Sequence, residues 1–186
     1  MPMSELWGGM DIEVIGVSGE YEAGKSLFAL SIDPKRTRYD DFEKSGGTYS
    51  GLNIATRVDW PTKLLKMHPN GYKPLDAFVA WRDEIRATEP GQYSVIAADP
   101  ISDIEQGLCD YVMANPEEFG RTLAQYQKSG GIYWGDVKAY WKRVLSDLAA
   151  RCDTFVFTSH MRAVWKGSTP TGRREPKGKD TLSYAM

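Results

Sequence analysis

Apolar positions fall into blocks whose period changes along the chain. Asp11 to Val17 is strand-like, with the apolar run Val14 to Val17 at its heart. Leu27-Phe28-Ala29-Leu30 suits a helix that runs to about Leu30, and Pro34 forbids its continuation. Thr37 to Asp40 is a short strand candidate, followed by Asp41-Phe42-Glu43 and a turn at Ser45-Gly46-Gly47. Thr48 to Pro74 is irregular, with a strand candidate at Leu52-Asn53-Ile54 and a short helix around Lys63 to Lys66. Leu75, Phe78, Val79 and Ile85 give Leu75 to Ala87 the spacing of an amphipathic helix. After a Pro90-Gly91 turn, Tyr93 to Asp99 is apolar over a strand's length and ends in an acid. Helices are expected over Ile101 to Ala114, Pro116 to Tyr126 and Trp134 to Arg151, with Ser129-Gly130-Gly131 as a break. Thr154 to Ser159 is a further strand, ending at His160.

Strands alternating with helices, and apolar along their length, predict an α/β fold with a mostly parallel sheet covered on both faces. Ligands of such sheets bind at the carboxyl ends of the strands. Gly19, Asp99, His160 and the stretch Asp40 to Glu43 are all expected at that edge.

Composition narrows this only a little. A chain of 186 residues with 41% apolar and 26% charged residues is expected to be one domain, spanning 1–186. The formal net charge of −2 gives no overall footprint for nucleic acid, so any such contact must come from a local patch. Cys109 and Cys152 have no metal or redox spacing and suit two buried or half-buried thiols in a reducing cytoplasm. Neither a secretory leader nor an apolar run of membrane-spanning length is present, so no membrane partner is expected. His68, beside Pro69-Asn70-Gly71, is expected to be an exposed loop residue.

The chemistry concentrates where the first strand meets the first helix. Gly19 to Ser26, Gly-Glu-Tyr-Glu-Ala-Gly-Lys-Ser, fits the phosphate-loop pattern G-x-x-x-x-G-K-[ST], known as Walker A, between a strand and a helix. Glycines allow a tight backbone to approach a phosphate, and its N–H groups converge on the phosphate oxygens. The expected nucleotide-binding set is Gly19, Glu20, Tyr21, Glu22, Ala23, Gly24, Lys25, Ser26 and Leu27, with ATP and Mg2+ as ligands. Lys25 supplies a mobile charge for the β- and γ-phosphates and Ser26 a hydroxyl for the metal. Glu20 and Glu22 are odd in an anion-binding loop, and their carboxylates must point outward.

Asp99, ending an apolar strand, is placed like a Walker B acid and is the second expected metal ligand. Glu43 is the candidate to orient or deprotonate the attacking water, with Asp41 and then Asp40 as rivals. His160 is the candidate to contact the γ-phosphate, and Thr158 and Ser159 are lesser hydroxyl candidates. From Met161 to Lys179 the chain carries Arg162, Lys166, Arg173, Arg174, Lys177 and Lys179 against only Glu175. Its glycines and prolines predict a mobile loop. Such a loop suits a nucleic-acid backbone or a neighbouring subunit's γ-phosphate, and Trp165 suits stacking on a base.

In order, these motifs resemble the RecA-like P-loop ATPase core, and most closely the phage-encoded ATPases of the single-strand annealing and recombination type. The resemblance runs from about Asp11 to Tyr184. It implies that Glu43 activates water, that His160 senses the γ-phosphate, and that Trp165 to Lys179 contacts single-stranded DNA. It also implies a homo-oligomer in which Lys177 or Lys179 acts on a neighbour's nucleotide, working in the cytoplasm of a bacterial host. Gly178 to Leu182 resembles the start of the helix that follows in the family. The pattern departs at the segment between Gly46 and Pro74, which has no counterpart, at Pro100, where relatives often have serine or threonine, and at the end. Ending at Met186, before the family's further strands, the chain is expected to be truncated or minimal. Three other readings stay open: a small P-loop nucleotide or metabolite kinase with the basic tail as its lid, a DNA-packaging motor subunit, and a non-hydrolysing nucleotide-binding adaptor.

Overall fold

The structure is a computed structural model that describes residues 12–20, 23–44, 49, 51–166 and 168–176, with the side chain of Trp165 excluded. Five strands make a parallel sheet: β1 (Glu13–Gly19), β2 (Thr37–Asp41), β3 (Thr56–Asp59), β4 (Val95–Asp99) and β5 (Thr154–Lys166), in the order β1-β5-β4-β2-β3. A sixth strand, β6 (Thr169–Pro176), pairs antiparallel with the far half of β5. The helices are α1 (Lys25–Ser31), α2 (Trp60–Met67), α3 (Pro74–Ala87), α4 (Ser102–Ala114), α5 (Leu123–Lys128) and α6 (Gly130–Ala149). The α/β class with a mostly parallel sheet is the one the apolar strands predict.

Period-two alternation sends neighbouring residues of each strand to opposite faces. On one face, Val14, Ile96, Ala98, Phe155 and Phe157 pack with Trp60, Phe78, Trp81, Leu108 and Trp141 in a large core beneath α2, α3, α4 and α6. On the other, Tyr39, Val95, Ala97 and Val156 pack under Ala29 and Leu30 of α1, with Tyr49, Leu52 and Ile54 alongside. Helices α3 and α4 approach unusually closely. A Cβ on Gly107 would lie 2.1 Å from the Pro74 carbonyl oxygen, so only glycine fits there.

Several expected elements move. The strand sits not at Leu52 to Ile54 but at Thr56–Asp59, an edge strand held by β2 alone. Leu52 and Ile54 instead cover the smaller core. The single helix from Pro116 to Tyr126 becomes a 3-10 turn (Pro116–Phe119) and α5, because Gly120 adopts φ +65° and Thr122 caps a new start. Helix α6 opens at Gly130, so the two glycines begin it instead of breaking it. The largest correction is the basic tail. Instead of a loop, β5 continues to Lys166 and β6 returns beside it as a hairpin, with Met161 opposite Pro176 and Ala163 opposite Arg174. Cys109 and Cys152 are both buried. His68 caps α2 and is half-buried, not exposed. Among the described residues no helix is long and apolar enough to cross a membrane.

Candidate functional site

Register brings the candidate residues to one edge. Gly19 is opposite His160, and Asp99 is opposite Asp41. Because β5 lies between β1 and β4, His160 stands between the loop strand and the Asp99 strand. Two further hydrogen bonds lock the strand exits: the Phe42 N–H donates to the Asp99 carbonyl at 2.7 Å, and the Ile101 N–H to the Thr158 carbonyl at 2.9 Å.

In the phosphate loop, Gly24 adopts φ +77° and leads directly into α1, a conformation that a side chain would strain. Lys25 is buried, and its ammonium donates to the carbonyls of Gly19 at 3.1 Å and Glu20 at 2.7 Å. Both acceptors are neutral, so a phosphate oxygen would be a stronger partner for the same cation. Ser26 is half-buried; Ala23, Gly24 and Leu27 are exposed. Glu20 points outward, as an anion-binding loop requires, and its carboxylate meets Arg174 of β6 at 2.5 Å. Tyr21 and Glu22 lie outside the described residues.

Asp99 is 4% exposed and fully engaged. Tyr39 donates its hydroxyl to Oδ2 at 2.5 Å, and Thr158 donates to Oδ1. Thr158 thus orients the acid instead of facing solvent. Tyr39 was missed, although two residues before Asp41 on a strand it must share that residue's face. An Mg2+ ion prefers hard oxygen ligands and keeps several waters, using one or two carboxylates plus substrate phosphates. Ser26 and Asp99 match that chemistry. Among the described residues no group of three or more His, Cys, Asp or Glu side chains is gathered to hold a metal alone.

The three acids weighed for water activation have separate environments. Asp40 is completely buried on the other face of β2, where it accepts hydrogen bonds from Arg38, Trp60 Nε1 at 2.9 Å and Trp81 Nε1 at 3.0 Å. It is a structural anchor and falls out as a rival. Asp41 is buried too, paired with Arg57 at 3.1 Å and accepting the Glu43 N–H at 3.1 Å. Glu43 alone is open to solvent, and its Oε1 lies 2.8 Å from His160 Nε2. Stacking of Phe42 on Trp60, with ring centroids 5.6 Å apart and planes within 4°, holds the chain leaving β2 at this angle.

The hairpin carries the remaining candidates. Arg162 pairs with Glu175 at 2.9 Å, and Lys166 and Arg173 are exposed. Arg174 reaches the chain's own phosphate loop, where it pairs with Glu20. Lys177, Lys179 and the Trp165 side chain lie outside the described residues.

A comparison with curated proteins found no match to this chain. A family model described as an AAA domain, AAA_24, matches residues 13–186, and the chain therefore belongs to this family of P-loop ATPases.

Proposed function

We propose that the chain binds and hydrolyses Mg-ATP at the edge formed by Gly19 to Leu27, Glu43, Asp99 and His160, and that turnover is coupled to single-stranded DNA on the β5–β6 hairpin, in phage recombination or repair. The contact of Glu43 with His160 carries this reading. It joins the candidate base to the strand that runs on, without interruption, as the basic hairpin. A change at the γ-phosphate position that moves His160 also moves the start of the hairpin, and the reverse holds.

In this reading Lys25 turns from its two carbonyls to the phosphates, and Ser26 and Asp99 hold the metal, which neutralises charge on the phosphate oxygens. Release of Glu43 from His160 frees its carboxylate to orient water and accept its proton. Arg162, Lys166, Arg173 and Arg174 neutralise the nucleic-acid backbone. A second subunit places Lys177 or Lys179 near the nucleotide.

The deciding experiment is phosphate release from Mg-ATP, with and without single-stranded DNA. Stimulation by the DNA, abolished in Lys25→Ala and reduced by on the order of 10²-fold or more in Glu43→Gln, supports the reading. Turnover indifferent to DNA removes the coupling. Transfer of phosphate to a small acceptor in place of water makes the chain a kinase instead.

A further inference from the structure

Glu20 stands at a junction that neither the phosphate-loop pattern nor the family match assigns. Its backbone carbonyl accepts from Lys25 at 2.7 Å, while its carboxylate holds Arg174 at 2.5 Å. The same guanidinium donates to the Met161 carbonyl at 3.4 Å, immediately after His160. One residue of the loop therefore touches both the lysine that must meet phosphate and the hairpin.

We infer that Glu20 is a positioning residue that couples the hairpin to Lys25, so that filling the phosphate loop and binding a polyanion on the hairpin favour each other. This rests on the proposed function in taking nucleic acid as the polyanion. Without nucleotide, Glu20 neutralises Arg174 and withholds its charge from a passing phosphodiester. Phosphate in the loop acts on Glu20 twice. It draws the Lys25 ammonium off the Glu20 carbonyl, freeing that peptide to turn. It also puts negative charge near the Glu20 carboxylate, which repels it. Both loosen the pair with Arg174. By linkage, a polyanion that takes Arg174 must improve nucleotide binding by the same factor. Both partners are half-exposed, with side-chain exposures of 51% and 55%. Exposed pairs of this kind support a coupling of about two- to fivefold, which fades as salt rises.

The test uses the full chain, a thymidine oligonucleotide and a non-hydrolysable ATP analogue with Mg2+ at low salt. The wild type is expected to bind the oligonucleotide about two- to fivefold more tightly with the analogue. Glu20→Gln is expected to show the tighter affinity without the analogue and to lose the response, an outcome a merely structural role does not produce. An unaltered response in Glu20→Gln overturns the inference. Should the wild type bind no oligonucleotide in any state, the proposed function fails by itself and analogue affinity decides this inference. Glu20→Gln and Arg174→Gln should then each tighten analogue binding about two- to fivefold, and the double variant no further than either, because all remove one contact. Additive effects, or none, overturn it.

Discussion

Asp40 and Asp99 are both buried aspartates on neighbouring strands, yet their surroundings are opposite in kind. Asp40 points into the larger core, where two indole N–H groups and the Arg38 guanidinium use its oxygens. Arg38 is tied in turn to Glu84, which also pairs with Lys63. Among the described residues the partners of Asp40, Arg38, Trp60 and Trp81, all belong to the scaffold. Asp99 ends its strand at the ligand edge, and its partners are two neutral hydroxyls, Tyr39 and Thr158. Hydroxyls orient a carboxylate without bringing a counter-charge to it, at the edge where a metal would sit. A buried acid saturated by a cation and indoles is architecture; one held, among the described residues, by hydroxyls fits the metal-ligand role proposed for Asp99.

The sharpest way to break this comparison is to neutralise each acid. Asp40→Asn leaves Arg38 short of its buried partner and turns an amide N–H toward indole donors. Removing one member of such a buried set is expected to cost about 3–5 kcal/mol. Urea unfolding should show it as a large drop in midpoint. Asp99→Asn keeps one acceptor and loses no cation partner, so its loss of stability is expected to be smaller. Its phosphate release should instead fall by on the order of 10²-fold or more, as for a lost electrostatic contact at a reacting phosphate. If Asp40→Asn proves as stable as the wild type, or Asp99→Asn as active, the division between anchor and active group is wrong.

A smaller effect tests whether the scaffold side is as tightly built as Asp40 implies. Gly107 faces the backbone of Pro74, so Gly107→Ala must push α3 and α4 apart. Overpacking of this kind costs about 1–3 kcal/mol. The edge residues lie elsewhere, and nucleotide affinity in the surviving folded protein should be unchanged. A variant that is stable but binds nucleotide poorly would mean that the helical face and the edge are not independent.

What was legible in the sequence follows the same division. Strands buried on both faces announce themselves: Val95 to Ala98 and Phe155 to Phe157 are unbroken apolar runs, and each leads straight into a candidate residue, Asp99 or Thr158. The phosphate loop is legible because its chemistry needs particular residues in consecutive positions. Edge strand β3, Thr-Arg-Val-Asp, has one apolar residue and takes its conformation from β2, whereas the more apolar Leu52 and Ile54 serve as a cover. Strand β6 contains two prolines, a glycine and two arginines and is mostly exposed. Pairing with β5 makes it a strand, and no local pattern signals that. The partners of the acids were hidden for another reason. Tyr39 reaches Asp99, Trp81 reaches Asp40, and Arg174 reaches Glu20 across 60, 41 and 154 positions of sequence, the last being 174 less 20. Only the fold brings such residues together.

The mildest probe of the scaffold side is its thiols. Burial raises the Cys109 thiol from its usual 9.0 to about 11, against a weaker opposing contribution from Tyr133. Burial likewise raises Cys152 to about 12. In both cases the folded protein holds protons that the unfolded chain gives up near pH 9. That difference stabilises the fold fully below about pH 9 and is lost as pH rises through 11 to 12. The urea midpoint should therefore have no thiol-dependent slope between pH 7 and 8.5, then fall above pH 9. Cys152→Val should remove most of that fall, since its thiol is displaced furthest. At pH 8 a thiol reagent should label the native protein no faster than it unfolds, because the reactive thiolate is scarce and enclosed. Rapid labelling of Cys109 under native conditions would show that the α4 surface opens readily, and that the anchored side is looser than its buried carboxylate suggests.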